Sequence, residues 1–270
     1  MRIANIPLPR EHGAWAVLLV PMVIVSSIKQ AASLELVLLA LSTVALFVAT
    51  VPLETILRNM FLARQESQKV RTAKMWATFY SALSVFLATP LLLQGFWWLM
   101  GFGILALFVF VATFFLVRSS QKTIVSDLIA TIGLSITGLS SYYLIEGTLD
   151  VVGLQIWGFN VLFFGSTVFY VHMKIRATRF KENGFGIKER LSIGKLNLAY
   201  HVATVAVVTV LASLHYTTEL ALVAFLPMLI HSIYGTVKLS NTVRFKNLGF
   251  ILVGQSVLFA AALTMVMSVS

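Results

Sequence analysis

Nine apolar runs, near residues 13–30, 33–53, 75–94, 96–117, 127–146, 150–173, 195–214, 217–235 and 248–267, dominate this chain. Each approaches the roughly 20 residues that a helix needs to cross a bilayer core about 30 Å thick. Composition closes off a water-soluble fold: 59% of the 270 residues are hydrophobic and 11% are charged, where about 25% charged is ordinary for a soluble domain. So few charges cannot cover a soluble surface of this size, and so much Leu, Val, Phe and Ile excludes disorder. The absence of cysteine removes disulfides, thiolate nucleophiles and Cys-based metal sites. The expected fold is all-α, a polytopic membrane bundle of nine transmembrane helices forming one integral membrane domain over residues 1–270. The first run carries Pro21 and a signal-peptide-like flank with Arg2 and Arg10. No small-x-small cleavage site follows, so it reads as a retained helix.

Charge placement supports this count. Nineteen of the twenty basic residues fall in alternate connections, including Arg58 to Lys74, Arg118 and Lys122, Lys174 to Lys195, and Lys238 to Lys246. Lys29 alone lies on the opposite side, with Glu35, Glu146, Asp150 and Glu219. Positive-inside bias places the N-terminus in the cytoplasm and the C-terminus outside. The formal charge of +10 is then a consequence of topology. No nucleic-acid partner is expected, and anionic lipids of the inner leaflet are the natural electrostatic partner.

The run starts at 127, 195 and 217 follow those at 13, 75 and 96 by a nearly constant offset. This spacing suggests a pseudo-repeat of two four-helix units, 13–117 and 127–235, with a ninth helix at 248–267. Membrane folds built from repeats place their sites at the repeat interface. In each unit a long basic connection follows the second helix, 54–74 and 174–194, and length beyond a tight connection is a functional hint.

That plan resembles the UbiA-type intramembrane prenyltransferases, whose nine helices carry Asp-rich, Mg²⁺-binding motifs in the connections after helices two and six. Here those stretches hold only Glu54 and Glu66, then Glu182 and Glu189. A hard cation wants clustered carboxylates, so no metal or cofactor is expected, and the likeness is one of topology. At the level of sequence, Pro9-Arg10-Glu11-His12-Gly13-Ala14-Trp15 and Leu18-Leu19-Val20-Pro21 resemble the opening of the YwiC-like bacterial membrane proteins. Val168 to Val171, Ile175-Arg176 and Ala199-Tyr200-His201 are also similar to that family. The resemblance implies a multipass protein of the bacterial inner membrane and carries no activity with it.

Ionisable residues gather in the cytoplasmic layer. His12 opens span one, Glu54 and Arg58 share a face of span two, Arg118 ends span four and Asp127 begins span five. His172, Lys174 and Arg176 close span six, and Tyr200 and His201 lie about two turns into span seven. Such residues prefer the bundle interior or a wet cavity. If they converge, they form a cationic, His-containing pocket that binds phosphate or a lipid headgroup by charge-assisted hydrogen bonds. The candidate substrate-binding set is Glu54, Arg58, Arg118, Asp127, His172, Arg176, Tyr200 and His201, with His12 and His201 as candidate acid or base.

The plainer readings are snorkelling, topology-setting cations at Arg58, Arg118, Lys174 and Arg176 and a surface pair at Glu54–Arg58. Gly13 and Ala14 read as close-packing residues. The stripe Asp127, Thr131, Ser135, Gly138, Tyr142 favours helix packing.

Three functions follow. The first is a lipid-binding protein or intramembrane transferase for an isoprenoid or other anionic amphiphile. The second is a transporter for a small anion, and the third an accessory subunit without catalysis.

Overall fold

The computed structural model describes residues 7–9, 12–61, 67–118, 123–180 and 186–269. Among them all regular structure is helical: α1 (His12–Ile28), α2 (Leu34–Phe61), α3 (Gln68–Leu93), α4 (Trp98–Arg118), α5 (Ile124–Leu134), α6 (Ile136–Glu146), α7 (Val151–Ala177), α8 (Ile187–Ser213), α9 (Ala221–Val237) and α10 (Phe245–Val269). The polytopic helical bundle expected from the apolar runs is what forms.

The expected fifth span is two helical segments that meet at Ser135, which is fully buried. Weak helix formers cause this break, because Gly133 and Gly138 flank Ser135 and let neighbours approach closely. A Cβ on Gly133 would lie 3.0 Å from Val109 Cβ of α4, and one on Gly138 would lie 3.0 Å from Pro21 Cβ of α1. Counting α5–α6 as one span, seven helices are long and apolar enough to cross a membrane. The other two, α1 and α9, have 17 residues each. That is about 25 Å of helix, at the lower limit for a crossing.

The helix ends correct one expectation. The long basic stretches 54–74 and 174–194 are mostly helix: α2 runs to Phe61, α3 starts at Gln68, α7 runs to Ala177 and α8 starts at Ile187. The connections shrink to 62–67 and 178–186. Hydropathy ends each span at its first charges, but Lys, Arg and Glu are good helix formers and carry the helix on beyond the apolar zone.

Two helices organise the packing. α1 lies against α10, α6, α7 and α5, and α7 lies against α8, α5, α6, α9 and α1. Their shared core contains Tyr142, Phe159, Phe163, Tyr170, Phe225 and Phe259, and Phe163 stacks on Phe259 at 4.1 Å. α2 and α3 form a peripheral hairpin that packs on α6 through α2. Ser42 Oγ donates to Ser84 O and Ser84 Oγ to Ser42 O, both at 2.9 Å, the small-residue contact that joins membrane helices. α4 leans on α5 and α6 and leaves most of its length unburied, where α5–α6 are largely buried. Its Ile104, Leu107 and Phe108 face outward, as a lipid-facing helix requires.

At the end opposite the basic connections, Asp150 caps α7 by accepting from Gly153 N–H (3.1 Å) and from Tyr142 Oη (2.8 Å). Lys29 there pairs with Glu146 at 2.8 Å.

Candidate functional site

At the basic end, α5 and α8 each pack on α7. The gap between them is a cavity of about 420 Å³. Ile124 of α5 with its N-cap Thr123, Phe169, His172, Met173, Ile175 and Arg176 of α7 with Arg179 just beyond its end, and Ile193, Leu196 and Asn197 of α8 line it. Local capping fixes the α5 wall: Ser126 N–H donates to Thr123 Oγ1 (3.2 Å) and Thr123 N–H to Ser126 Oγ (3.0 Å). On the α7 wall, residues 169, 172, 173 and 176 fall at helical spacing and so share one face.

The cavity is lined by both charged and apolar side chains. His172 Nε2 lies 2.8 Å from Asp127 Oδ2, joining α7 to α5 beside the cleft, with side chains 18% and 33% exposed. One turn on, Arg176 is exposed and its guanidinium makes no hydrogen bond or ion pair among the described residues. Phe169, Ile193 and Leu196 supply the apolar part. Leu196 is 44% exposed and Val125 of α5 is 59% exposed, so the cleft is flanked by side chains that would face lipid tails.

Behind Asn197 runs a buried polar network between α7, α8 and α9. Asn197 Nδ2 donates to Ser232 Oγ at 2.7 Å and to Thr236 Oγ1 at 3.3 Å, and Thr236 Oγ1 donates to Ser232 O at 2.8 Å. His201 Nδ1 lies 2.7 Å from Asn197 O. A carbonyl only accepts, so Nδ1 carries the proton and Nε2, which is buried without a partner among the described residues, is a bare acceptor in the neutral ring. Tyr200 stacks on Phe169 at 4.4 Å and donates to Leu162 O at 3.2 Å. Lys174 turns away from the cleft and donates to Gly235 O of α9 at 3.0 Å.

Of the residues singled out from the sequence, Asp127, His172 and Arg176 come together at the cleft. Tyr200 and His201 lie behind it, one through Phe169 and one through Asn197. Glu54 and Arg58 form their own half-exposed pair on α2, 2.6 Å apart, and line no part of the cavity. The side chains of His12 and Arg118 lie outside the described residues. Gly13 is not a close-packing residue, since a Cβ there would meet nothing within 4 Å. Trp15 of the opening motif packs edge-on against Phe47 of α2 at 5.0 Å. Sequence reasoning missed Thr123, Asn197, Ser232 and Thr236. Asn197 is one turn from His201, and that spacing was the available signal. No group of three or more His, Asp or Glu residues that could hold a metal occurs among the described residues.

The profile of the YwiC-like protein family matches residues 8–142, half of the chain. The chain belongs to the YwiC-like family. It is 27% identical over 176 residues to the uncharacterised protein YwiC of Bacillus subtilis, covering 63% of this chain and 67% of that relative. It is 26% identical over 168 residues to an uncharacterised protein of Haemophilus influenzae, covering 62% and 66%. No solved structure matches. The matched half holds α1 to α5 and the first part of α6, and with them Thr123 and Asp127. The α7 and α8 walls of the cleft in this YwiC-like chain come from beyond it.

Proposed function

We propose that this YwiC-like protein is a multipass protein of the bacterial inner membrane that binds an anionic, phosphate-bearing amphiphile in the α5–α7–α8 cleft. Positive-inside bias puts the cleft on the cytoplasmic side. The observation that carries the reading is the mixed lining of the cavity, in which Arg176 and His172 share one cleft with the apolar side chains of Phe169, Ile193 and Leu196. A headgroup phosphate takes charge-assisted hydrogen bonds from Arg176, and its chain leaves the cleft along the apolar walls between α5 and α8. A small-anion transporter needs polar lining through the bundle. Beyond His201, however, the buried face of α8 is Thr204, Val208 and Ala212, which favours the amphiphile. A transferase in the manner of the UbiA-type enzymes, without their metal motifs, is the enzymatic form of the same reading.

Native mass spectrometry with lipidomics of the gently extracted protein tests this. Wild type is expected to retain a defined phosphate-bearing lipid, Arg176→Ala to lose at least about tenfold of it, as one charged contact warrants, and Arg58→Ala to keep it. Equal retention by all three proteins contradicts the reading.

A further inference from the structure

The Asp127–His172 couple gives the cleft a charge that depends on one proton. A carboxylate oxygen only accepts, so Nε2 of His172 donates to Asp127 Oδ2. The remaining ring nitrogen, Nδ1, has no hydrogen bond among the described residues. When His172 is neutral, the Asp127 carboxylate offsets one positive charge at the cavity. When His172 is protonated, Asp127 is neutralised, and Nδ1 becomes a further N–H donor.

Among the described residues, the charged groups around His172 are few. α5 contributes Asp127, α7 contributes Arg176 and the turn after it Arg179 at the cavity, with Lys174 committed to Gly235 O of α9. α8 contributes only Ile193, Leu196 and Asn197 to the lining, none of which titrates. Its Lys195 is exposed beside Leu196, Arg190 donates to Val237 O at 2.6 Å, and Glu189 accepts from Gly186 N–H. Among the described residues that line the cavity, His172 is the one histidine.

We propose that the cleft is specific for phosphomonoester headgroups and takes up a proton from solution onto His172 Nδ1 as the dianion binds. The proposal rests on the amphiphile reading above and adds to it the class of head. A phosphodiester carries one negative charge, which Arg176 meets by itself. A phosphomonoester carries up to two, and the cleft, which Arg179 also lines, meets the second more strongly once Asp127 is neutralised by its protonated partner. The second charge of the ligand draws the proton onto the ring, so recognition of the monoester and proton uptake are one event. Asp127 then acts against singly charged diesters, because a neutral His172 leaves its carboxylate uncompensated beside the cleft.

The test is titration calorimetry on the detergent-purified full chain, near neutral pH, in two buffers of different ionisation heat. Dihexanoyl phosphatidic acid, dihexanoyl phosphatidylglycerol and inorganic phosphate are the probes. The monoester lipid is expected to bind about tenfold tighter than the diester, the effect of one unit charge at a half-exposed site. Wild type is expected to take up more protons on binding the monoester than His172→Gln does, a difference in which the ligand's own titration cancels. Asp127→Asn keeps an acceptor for Nε2–H and removes the charge, so the diester should tighten and the preference narrow. Equal affinities for the two lipids, or equal proton uptake by wild type and His172→Gln, overturns this proposal and leaves the amphiphile reading standing. Inorganic phosphate binding as tightly as the monoester lipid overturns the amphiphile reading instead. Failure of all three probes to bind overturns both.

Discussion

His201 and Asn197 lie one turn apart on α8 and answer differently to substitution. Asn197 holds Ser232 and Thr236 of α9 through its amide, and hydrogen bonds of this kind between membrane helices are worth about 0.6–2 kcal/mol. Asn197→Leu should therefore lower stability by roughly that amount in a detergent unfolding titration. His201 already buries an Nε2 with no partner among the described residues, so His201→Leu removes the Nδ1 contacts to Asn197 O and Ser232 Oγ together with an unsatisfied acceptor and should cost less. Equal or larger loss for His201→Leu would show that Nε2 has a partner. Depth in the membrane marked His201 as unusual in the sequence. Its actual role was not legible there, because Asn197, Ser232 and Thr236 read as ordinary polar positions until three helices bring them together.

At the scale of the element, the existence and order of the helices were legible from apolar run length and charge alternation. Their ends were not, because hydropathy reports where the apolar zone stops and backbone hydrogen bonding continues past it. Hence 54–74 and 174–194 read as functional connections and are mostly helix. The cap on α7 shows what fixes an end. Burial pushes the Asp150 carboxyl up, but the Gly153 N–H, the Tyr142 hydroxyl, the Val152 N–H and the charge of Lys29 outweigh it and hold the group below its ordinary value. A carboxyl depressed by folding contributes stability that is fully present above its unfolded value, about 3.9, and lost as pH falls through the folded value. Thermal unfolding of wild type should show this acid loss, and Asp150→Ala should remove it and cost about 1 kcal/mol at neutral pH. An unchanged acid profile in the variant would remove Asp150 from the account of α7.

Across the whole molecule, the cleft joins parts of the chain that the sequence presents separately. Thr123 and Asp127 belong to the half matched by the family profile, while His172, Arg176 and Asn197 come from beyond it. Three of the residues singled out from the sequence meet at the cleft because α7 packs against both α5 and α8. Glu54 and Arg58 do not, since α2 packs on α3 and α6 at the periphery. Proximity to the basic end was readable from charge and position; which helices are neighbours was not, because the apolar face of a membrane helix serves lipid and protein contacts alike. The packing thus divides the bundle into lipid-facing helices, of which α4 is the clearest, and a cleft lined by charged and apolar side chains. The most direct measurement is photocrosslinking of the purified protein with an alkyl phosphate that carries a diazirine in its chain, followed by peptide mapping. Labels on Phe169, Ile193 or Leu196 that are lost in Arg176→Ala are the predicted result. Labels spread over α3 and α4, unchanged by that substitution, would contradict a cleft that holds the amphiphile by its head.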